Sequence, residues 1–155
     1  MGLTVSQKRR IYLCGSISGL TYEEIDAYYQ ETVKVLPKWM APISPMRDKE
    51  RLKLVGVIEK AYDGPLFSPQ GIFTRDHYDV SRSDAVLANF TRAKKVSIGS
   101  MFELAWAWQM KKPIVVIQDP AGMHKHPFVD CASPYVAHDL KEAVVLLTSI
   151  LRNGL

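Results

Sequence analysis

Short apolar runs alternate with amphipathic stretches along most of the chain. Runs bounded by glycine, proline or charged residues predict buried strands, whereas apolar residues spaced three or four positions apart predict helices. The predicted strands are 10–15, 39–43, 85–89, 113–117 and 135–137, and the predicted helices are 21–36, 74–83, 103–109 and 139–151. Because strands alternate with helices, we expect a parallel sheet covered by helices on both faces.

The order of these elements predicts an α/β fold: a doubly wound, five-stranded parallel sheet in a flavodoxin-like three-layer sandwich. The run 113–117 is apolar and rich in β-branched residues, which is typical of a strand inside such a sheet. The run 39–43 contains Pro42, which favours an edge strand. No linker or internal repeat divides the sequence, so we expect a single domain over residues 1–155 with a flexible segment 1–9.

The first predicted helix has clear boundary signals. Thr21 and Glu24 match a capping box at its start, and Pro37 ends it. The segment 44–74 is punctuated by proline and glycine and is the least regular part of the chain, although residues 48–61 could form a helix within it. Long insertions of this kind in a compact domain are usually functional or mobile.

Composition and charge narrow the class of protein. The 155 residues are 47% hydrophobic and 23% charged, which is typical of a soluble globular protein, and no run of about 18 apolar residues predicts a membrane span. The N-terminus lacks the pattern of a secretory signal, and Cys14 and Cys131 are too few for a disulfide framework. We therefore expect a cytoplasmic protein, with Cys14 as a buried free thiol in the first strand.

The net charge of +4 is scattered along the chain. Since the basic and aromatic motifs of nucleic-acid-binding proteins are missing, we expect no nucleic-acid polymer as a partner. A mild positive field suits a small anionic ligand instead.

Glu103 is the first candidate for chemistry. It follows a small, glycine-containing turn after the strand 85–89, where an open α/β sheet places its ligands. Ser100 and Glu103 match a capping box, in which the glutamate only accepts a backbone hydrogen bond at the start of a helix. Alternatively, the helix N-terminus keeps Glu103 ionised, as a carboxylate nucleophile requires.

A second carboxyl group and a tyrosine accompany this candidate. Asp76, Asp79 and Asp84 precede the strand 85–89, and two carboxyl groups are what glycosyl transfer needs, one to attack the sugar and one to protonate the leaving group. Tyr12 lies in an otherwise apolar strand. It is either a core tyrosine with a bonded hydroxyl or the residue that orients the nucleophile.

The glycine-containing loop 15–19 is the remaining candidate. It fits either a loop that binds an anion through backbone N–H groups or a tight turn, and it lacks both the Walker ending and the full dinucleotide fingerprint. His124 and His126 have no further ligands at metal-site spacing. We therefore expect neither a metal nor a cofactor.

Three segments, 11–16, 75–87 and 97–104, have the order and spacing of the nucleoside 2-deoxyribosyltransferase family, which the chain resembles from residue 11 to about residue 151. The resemblance implies a homo-oligomer with sites shared between subunits. It also implies a retaining double displacement on 2'-deoxyribonucleosides, with free purine or pyrimidine bases as acceptors and no membrane partner.

The resemblance also implies roles for individual residues. Glu103 would form a 2-deoxyribosyl ester, Tyr12 would hold Glu103 in place, and Asp76 would protonate the leaving base and later deprotonate the incoming one. The positions implied in substrate binding are Gly15, Ser16, Ser18, Met46, Arg47, Asn89, Ser97 and Gly99.

Ser97 is a departure from the family pattern, because family members that act on free nucleosides often carry an acid there. The related deoxynucleoside 5'-monophosphate N-glycosidases have serine at this position, but they tend to carry arginine where this chain has Ser18. The alternative activity is therefore hydrolysis of 2'-deoxynucleoside 5'-monophosphates. A third hypothesis is a non-enzymatic nucleotide-binding module in which Glu103 only caps a helix.

Overall fold

The computed structural model describes residues 7–49 and 64–152. The strands are β1 (Arg9–Gly15), β2 (Met40–Ile43), β3 (Ala85–Asn89), β4 (Ile114–Ile117) and β5 (Tyr135–Ala137); the helices are α1 (Tyr22–Val35), α2 (Pro69–Ser81), α3 (Ile98–Gln109), α4 (Pro127–Ala132) and α5 (Leu140–Arg152). The strands form one parallel sheet in the order β2-β1-β3-β4-β5. This confirms the predicted five-stranded, flavodoxin-like α/β fold.

Helices cover both faces of the sheet and make three layers. Alternate residues of β1 point to opposite faces: Ile11 and Leu13 pack in the core with α1 and α5, whereas Tyr12 and Cys14 pack with α2, α3 and α4. Strand β1 therefore contributes apolar core to one layer and polar groups to the other.

The sheet creates a crevice at the carboxyl ends of β1 and β3. From β1 the chain crosses to β2 on one side, and β3 lies on the other side, so the winding reverses between β1 and β3. Gly15 and Asn89 are register partners at these two strand ends. Ligands of open α/β sheets bind at such a point.

The edge position of β2 and the interior position of β4 are confirmed. The capping box of α1 is also present: the Thr21 N–H donates to Glu24 Oε2 at 2.8 Å, and the Glu24 N–H donates to Thr21 Oγ1 at 3.2 Å. Helix α1 ends at Val35, just before Pro37.

Other boundaries differ from expectation. Helix α2 begins earlier than predicted because Ser68 caps it by accepting the Gly71 N–H at 3.0 Å. Helix α4 is absent from the predicted elements, because it has only six residues and begins at a proline that is typical of a loop. Most of the helix predicted at 48–61 lies outside the described residues. Within the described ranges, every helix is too short or too polar to cross a bilayer.

Candidate active site

The start of α3 decides the position of Glu103. Ser97 is the N-cap, and its Oγ accepts the Ser100 N–H at 3.2 Å. Glu103 is the sixth residue of α3, so both the predicted helix start at Glu103 and its capping box with Ser100 are wrong. The sequence was ambiguous here because both serines are good N-caps. Glu103 is therefore not a helix cap.

Glu103 points instead into the core beneath the sheet. Its side chain is buried, and the hydroxyl of the fully buried Tyr12 donates a hydrogen bond to Glu103 Oε1 at 2.9 Å. The Cys14 thiol, two residues along the same face of β1, also hydrogen-bonds the Glu103 carboxylate. Burial raises the pKa of Tyr12 well above its usual range, so the hydroxyl remains a donor.

Asp76 is the second buried carboxyl group of the site. It lies on α2, is only 8% exposed, and interacts electrostatically with Glu103. Its Oδ1 atom has no hydrogen-bond partner among the described residues. An unsatisfied buried acceptor is costly, so Oδ1 is available to a group that a ligand brings.

Burial changes the protonation of both carboxyl groups. It raises the pKa of Glu103 to about 8, with a further contribution from the negative charge of Asp76, while the hydrogen bonds from Cys14 and Tyr12 favour the carboxylate. Burial also raises the pKa of Asp76 to about 6. The expectation that a helix N-terminus keeps Glu103 ionised is therefore wrong, because Glu103 lies in the second turn. Between these pH values the two groups hold one proton between them.

Lys49 is a charged residue of the site that sequence reasoning missed. Its side chain is 4% exposed and interacts electrostatically with both Asp76 and Glu103. Its ammonium group opposes the rise in the pKa of Asp76. The only sequence signal was its place in the irregular segment after β2, where a lysine is ordinarily solvated.

Met46 and Arg47 lie in the same segment as Lys49. Met46 is buried and packs with the core on the α1 side of the sheet. Arg47 is half-buried and forms a bidentate ion pair with the buried Asp79, in which Nη2 donates to Oδ1 at 2.8 Å. Substrate binding by Met46 and Arg47 stays a prediction.

Gly15, Ser16 and Asn89 lie at the crevice between the ends of β1 and β3. A Cβ atom at Gly15 would lie 3.1 Å from the Asn89 carbonyl oxygen, so the close approach of these strands favours glycine. Asn89 Oδ1 accepts the Thr91 N–H at 2.9 Å. Ser16 is buried, and its Oγ has no partner among the described residues. It borders a cavity of about 20 Å³, which is room for one water.

Of the remaining predicted binding residues, Ser97 and Gly99 lie at the start of α3, and Ser18 lies in the loop between β1 and α1. Ser97 Oγ also accepts the Ser100 hydroxyl at 2.9 Å, and the Ser97 N–H donates to His124 Nε2 at 2.9 Å. Gly99 and Ser18 are exposed. Within residues 7–49 and 64–152, no three side chains that could bind a metal come together.

No protein-family model matches the chain, and no curated protein is similar to it in sequence. Several solved structures are similar in fold, and two of them are a CMP N-glycosidase and a conserved protein. A CMP N-glycosidase from Clostridium botulinum, BcmB, superposes with a TM-score of 0.56 at 17% identity, over 92% of this chain and 100% of its own. A conserved protein from Enterococcus faecalis V583 superposes with a TM-score of 0.53 at 17% identity, over 90% of this chain and 87% of its own. The chain therefore shares its fold with a CMP N-glycosidase.

Proposed function

We propose that the protein is a nucleoside 2-deoxyribosyltransferase that exchanges bases on 2'-deoxyribonucleosides through a covalent deoxyribosyl–Glu103 intermediate. The observation that carries this proposal is the buried Glu103, held by the Tyr12 hydroxyl at 2.9 Å and electrostatically coupled to Asp76. The three residues come from three different elements. A buried pair of carboxyl groups with shifted pKa values is typical of a catalytic site rather than of a structural core.

The reaction has two balanced halves. In the first, a Glu103 oxygen forms a bond to C1' as the bond from C1' to the base nitrogen breaks, and the Asp76 proton passes to the departing base. In the second, Asp76 removes a proton from the incoming base, whose nitrogen displaces Glu103 from C1'. Two inversions give overall retention. Because 2-deoxyribose forms an oxocarbenium-like transition state readily, the enzyme mainly has to position the reactants and exclude water.

The productive form has Glu103 ionised and Asp76 protonated, which is the minor arrangement of the single proton because the pKa of Glu103 (about 8) lies above that of Asp76 (about 6). Hydrogen bonds from Tyr12 and Cys14 favour charge on Glu103, while the unpartnered Oδ1 of Asp76 is available to the base. Catalysis therefore needs a pair that holds one proton. We expect a bell-shaped dependence of kcat/KM on pH, with limbs near the pKa values of about 6 and about 8.

The proposal is tested by incubating the protein with thymidine or deoxyinosine and free adenine, and measuring deoxyadenosine by chromatography. Product that forms with the wild-type protein but not with Glu103→Ala supports the mechanism. Acid quenching without acceptor base should trap protein whose intact mass has increased by one deoxyribosyl group. Full activity of folded Glu103→Ala would falsify the covalent mechanism.

A second candidate activity is hydrolysis of 2'-deoxynucleoside 5'-monophosphates. It is favoured by Ser97 in place of an acid and by the Ser16 hydroxyl of the loop 15–19, which has no hydrogen-bond partner among the described residues. Lys95 also packs against this loop, with its Cε 3.5 Å from the position of a Cβ atom at Gly19, so positive charge lies close to where Ser18 replaces the arginine. The similar fold of a CMP N-glycosidase supports the same candidate.

The two candidates are separated by comparing thymidine with its 5'-monophosphate, each with and without adenine. A transferase needs the acceptor base and uses the nucleoside at least as well as the nucleotide. A hydrolase releases thymine without an acceptor and cleaves the monophosphate much faster.

The proposal includes a homo-oligomer with shared sites. Phe73 on α2 and Phe102 on α3 are about half exposed, with ring centroids 5.8 Å apart, and Phe73 also contacts Trp106 at 4.9 Å. An exposed aromatic cluster of this kind is typical of an interface. Sedimentation of the protein at micromolar concentration tests this part, and a monomer that retains full activity would contradict it.

A further inference from the structure

Four side chains of Asp, Glu, Lys or Arg are buried in the described part of the chain, and they belong to Lys49, Asp76, Asp79 and Glu103. Asp79 is neutralised by two arginines. The other three interact with one another, so they form a buried group with one positive and two potentially negative charges. A lysine is almost never buried unless it is paired. Lys49 forms no ion pair within 4 Å among the described residues, and Asp76 and Glu103 are the buried carboxyl groups that act on its ammonium.

The backbone is shaped to bring Lys49 to this position. Asp48 has a φ of 60°, a left-handed conformation that aspartate adopts more readily than most other residues. The Lys49 N–H donates to the Met46 carbonyl oxygen at 3.1 Å and closes the turn. The Arg75 guanidinium on α2 hydrogen-bonds the Arg47 carbonyl oxygen. The segment that carries Lys49 is thus tied to the helix that carries Asp76.

Counting charges shows what Lys49 does for the site. If both carboxyl groups are ionised, the buried group has a charge of −1, and if one is protonated, it is neutral. Without the lysine, the buried group holds no cation, and only the partly buried Arg75 and Arg47 remain to favour a carboxylate. Since a net buried charge is strongly unfavourable, the lysine makes the singly protonated pair the favoured state.

We propose that Lys49 is a positioning residue that keeps one negative charge on the Asp76–Glu103 pair and so prepares the pair for glycosyl transfer. This inference rests on the proposed function. The charged groups that face Lys49 are Asp76 and Arg75 from α2, Glu103 from α3, and Arg47 from its own segment. Arg75 and Arg47 repel the Lys49 ammonium. The favourable interaction of the ammonium is therefore its attraction to the Asp76 and Glu103 carboxyl groups.

The first test is the pH dependence of base exchange in Lys49→Met and Lys49→Arg. In Lys49→Met the acid limb should move up by at least about one pH unit, and kcat/KM at pH 6 should fall by about fivefold or more and recover toward higher pH. Lys49→Arg keeps the charge and should retain the wild-type limb. Lys125→Met, which removes an exposed lysine paired with Asp130, is the matched control and should leave the profile unchanged.

The second test needs no substrate, and it compares melting temperatures from pH 5 to pH 9. The loss of the cation should lower the Tm of Lys49→Met more at pH 8–9, where the carboxyl groups ionise, than at pH 5, where the variant should fold well. A Tm difference that grows with pH in a protein that exchanges no bases supports the charge pairing and refutes only the proposed function.

Two results would overturn the inference. One is an unmoved acid limb together with a Tm difference that is the same at every pH, which would make Lys49 a packing residue. The other is an increase in KM alone with an unmoved acid limb, which would make Lys49 a substrate contact.

Discussion

Asp76 and Asp79 lie one turn apart on α2, and both are buried, yet their surroundings differ. Asp79 receives bonds from Arg47 and from Arg82, whose Nε lies 3.0 Å from Asp79 Oδ1. Asp76 has one oxygen, Oδ1, without a hydrogen-bond partner among the described residues, and it interacts electrostatically with Glu103 and Lys49. A carboxylate whose bonding capacity is filled stabilises the fold, whereas one that is left incomplete beside a second carboxyl group is available for chemistry.

The same contrast separates the two faces of the sheet. The face toward α1 and α5 is packed mainly with apolar residues, among them Ile11 and Leu13. The face toward α2 and α3 contains the Tyr12 hydroxyl and the two buried carboxyl groups. One strand, β1, supplies both faces because its side chains alternate. If the contrast holds, substitutions of Glu103 and Asp76 should mainly reduce activity, and substitution of Asp79 should mainly reduce stability.

Glu103→Gln should have the largest effect on activity. The amide keeps the size of the side chain but cannot form the glycosyl ester, so base exchange should fall by roughly 10⁴-fold or more. The measurement is deoxyadenosine formation at enzyme concentrations high enough to detect residual turnover. Activity within tenfold of wild type would contradict the role of Glu103 as nucleophile.

The same variant should be more stable than wild type at high pH. The pKa of Glu103 is raised to about 8 in the folded protein, so its contribution to stability is complete below about pH 4 and is lost as pH rises through about 8. The amide of Glu103→Gln does not ionise, so the variant does not lose this stability at high pH. Its Tm should exceed that of wild type at pH 9, and the difference should shrink toward pH 5. A Tm below wild type at both pH values would show that Glu103 stabilises the fold.

Asp76→Asn should reduce activity by roughly 10²–10³-fold, as expected for the loss of a general acid. The reduction should depend on the leaving group. It should be large for thymidine and much smaller for 7-methyl-2'-deoxyguanosine, whose base departs without needing a proton. Equal losses for both substrates in steady-state kinetics would count against proton donation by Asp76.

Asp79→Asn is the matched control for Asp76→Asn, and it should reduce stability more clearly than activity. It leaves Arg47 and Arg82 without their buried partner and should lower the free energy of unfolding by about 1–3 kcal/mol, a modest value because both arginines are about one-third exposed. Activity per folded molecule should stay within a few-fold of wild type. Urea unfolding measures the stability, and base exchange per folded molecule measures the activity. A loss of activity as large as that of Asp76→Asn would remove the contrast between the two aspartates.

The sequence predicts most of the fold because apolar runs and helical spacing are local signals. Strands β1, β3, β4 and β5 and the capping box at Thr21 are found at or within one residue of their expected positions. The start of α3 could not be predicted, because Ser97 and Ser100 have the same capping chemistry and only the hydrogen bonds distinguish them.

The candidate site was predictable in its motifs but not in its charge balance. Tyr12, Asp76 and Glu103 stand out by type and spacing, whereas Lys49 looks like any lysine in a polar segment. Its burial depends on contacts with residues that are distant in sequence. The bond between Arg47 and Asp79 spans 32 residues and has no local signature either.

Among the three proposed catalytic residues, Tyr12 should show the smallest effect when it is changed to Phe, and this variant tests how the sheet and α3 cooperate. Loss of the hydroxyl removes one hydrogen bond to Glu103 but leaves the aromatic ring in the core and the bond from Cys14. The hydrogen bond favours the Glu103 carboxylate, so its loss should raise the pKa of Glu103 further and move the alkaline limb of kcat/KM upward, with about a tenfold loss of activity. The limb is measured by base exchange from pH 6 to pH 10, with Tyr28→Phe, a buried tyrosine of α1 on the opposite face, as the control. An equal shift in both variants would mean that general loosening of the core, rather than the bond to Glu103, sets the ionisation of the nucleophile.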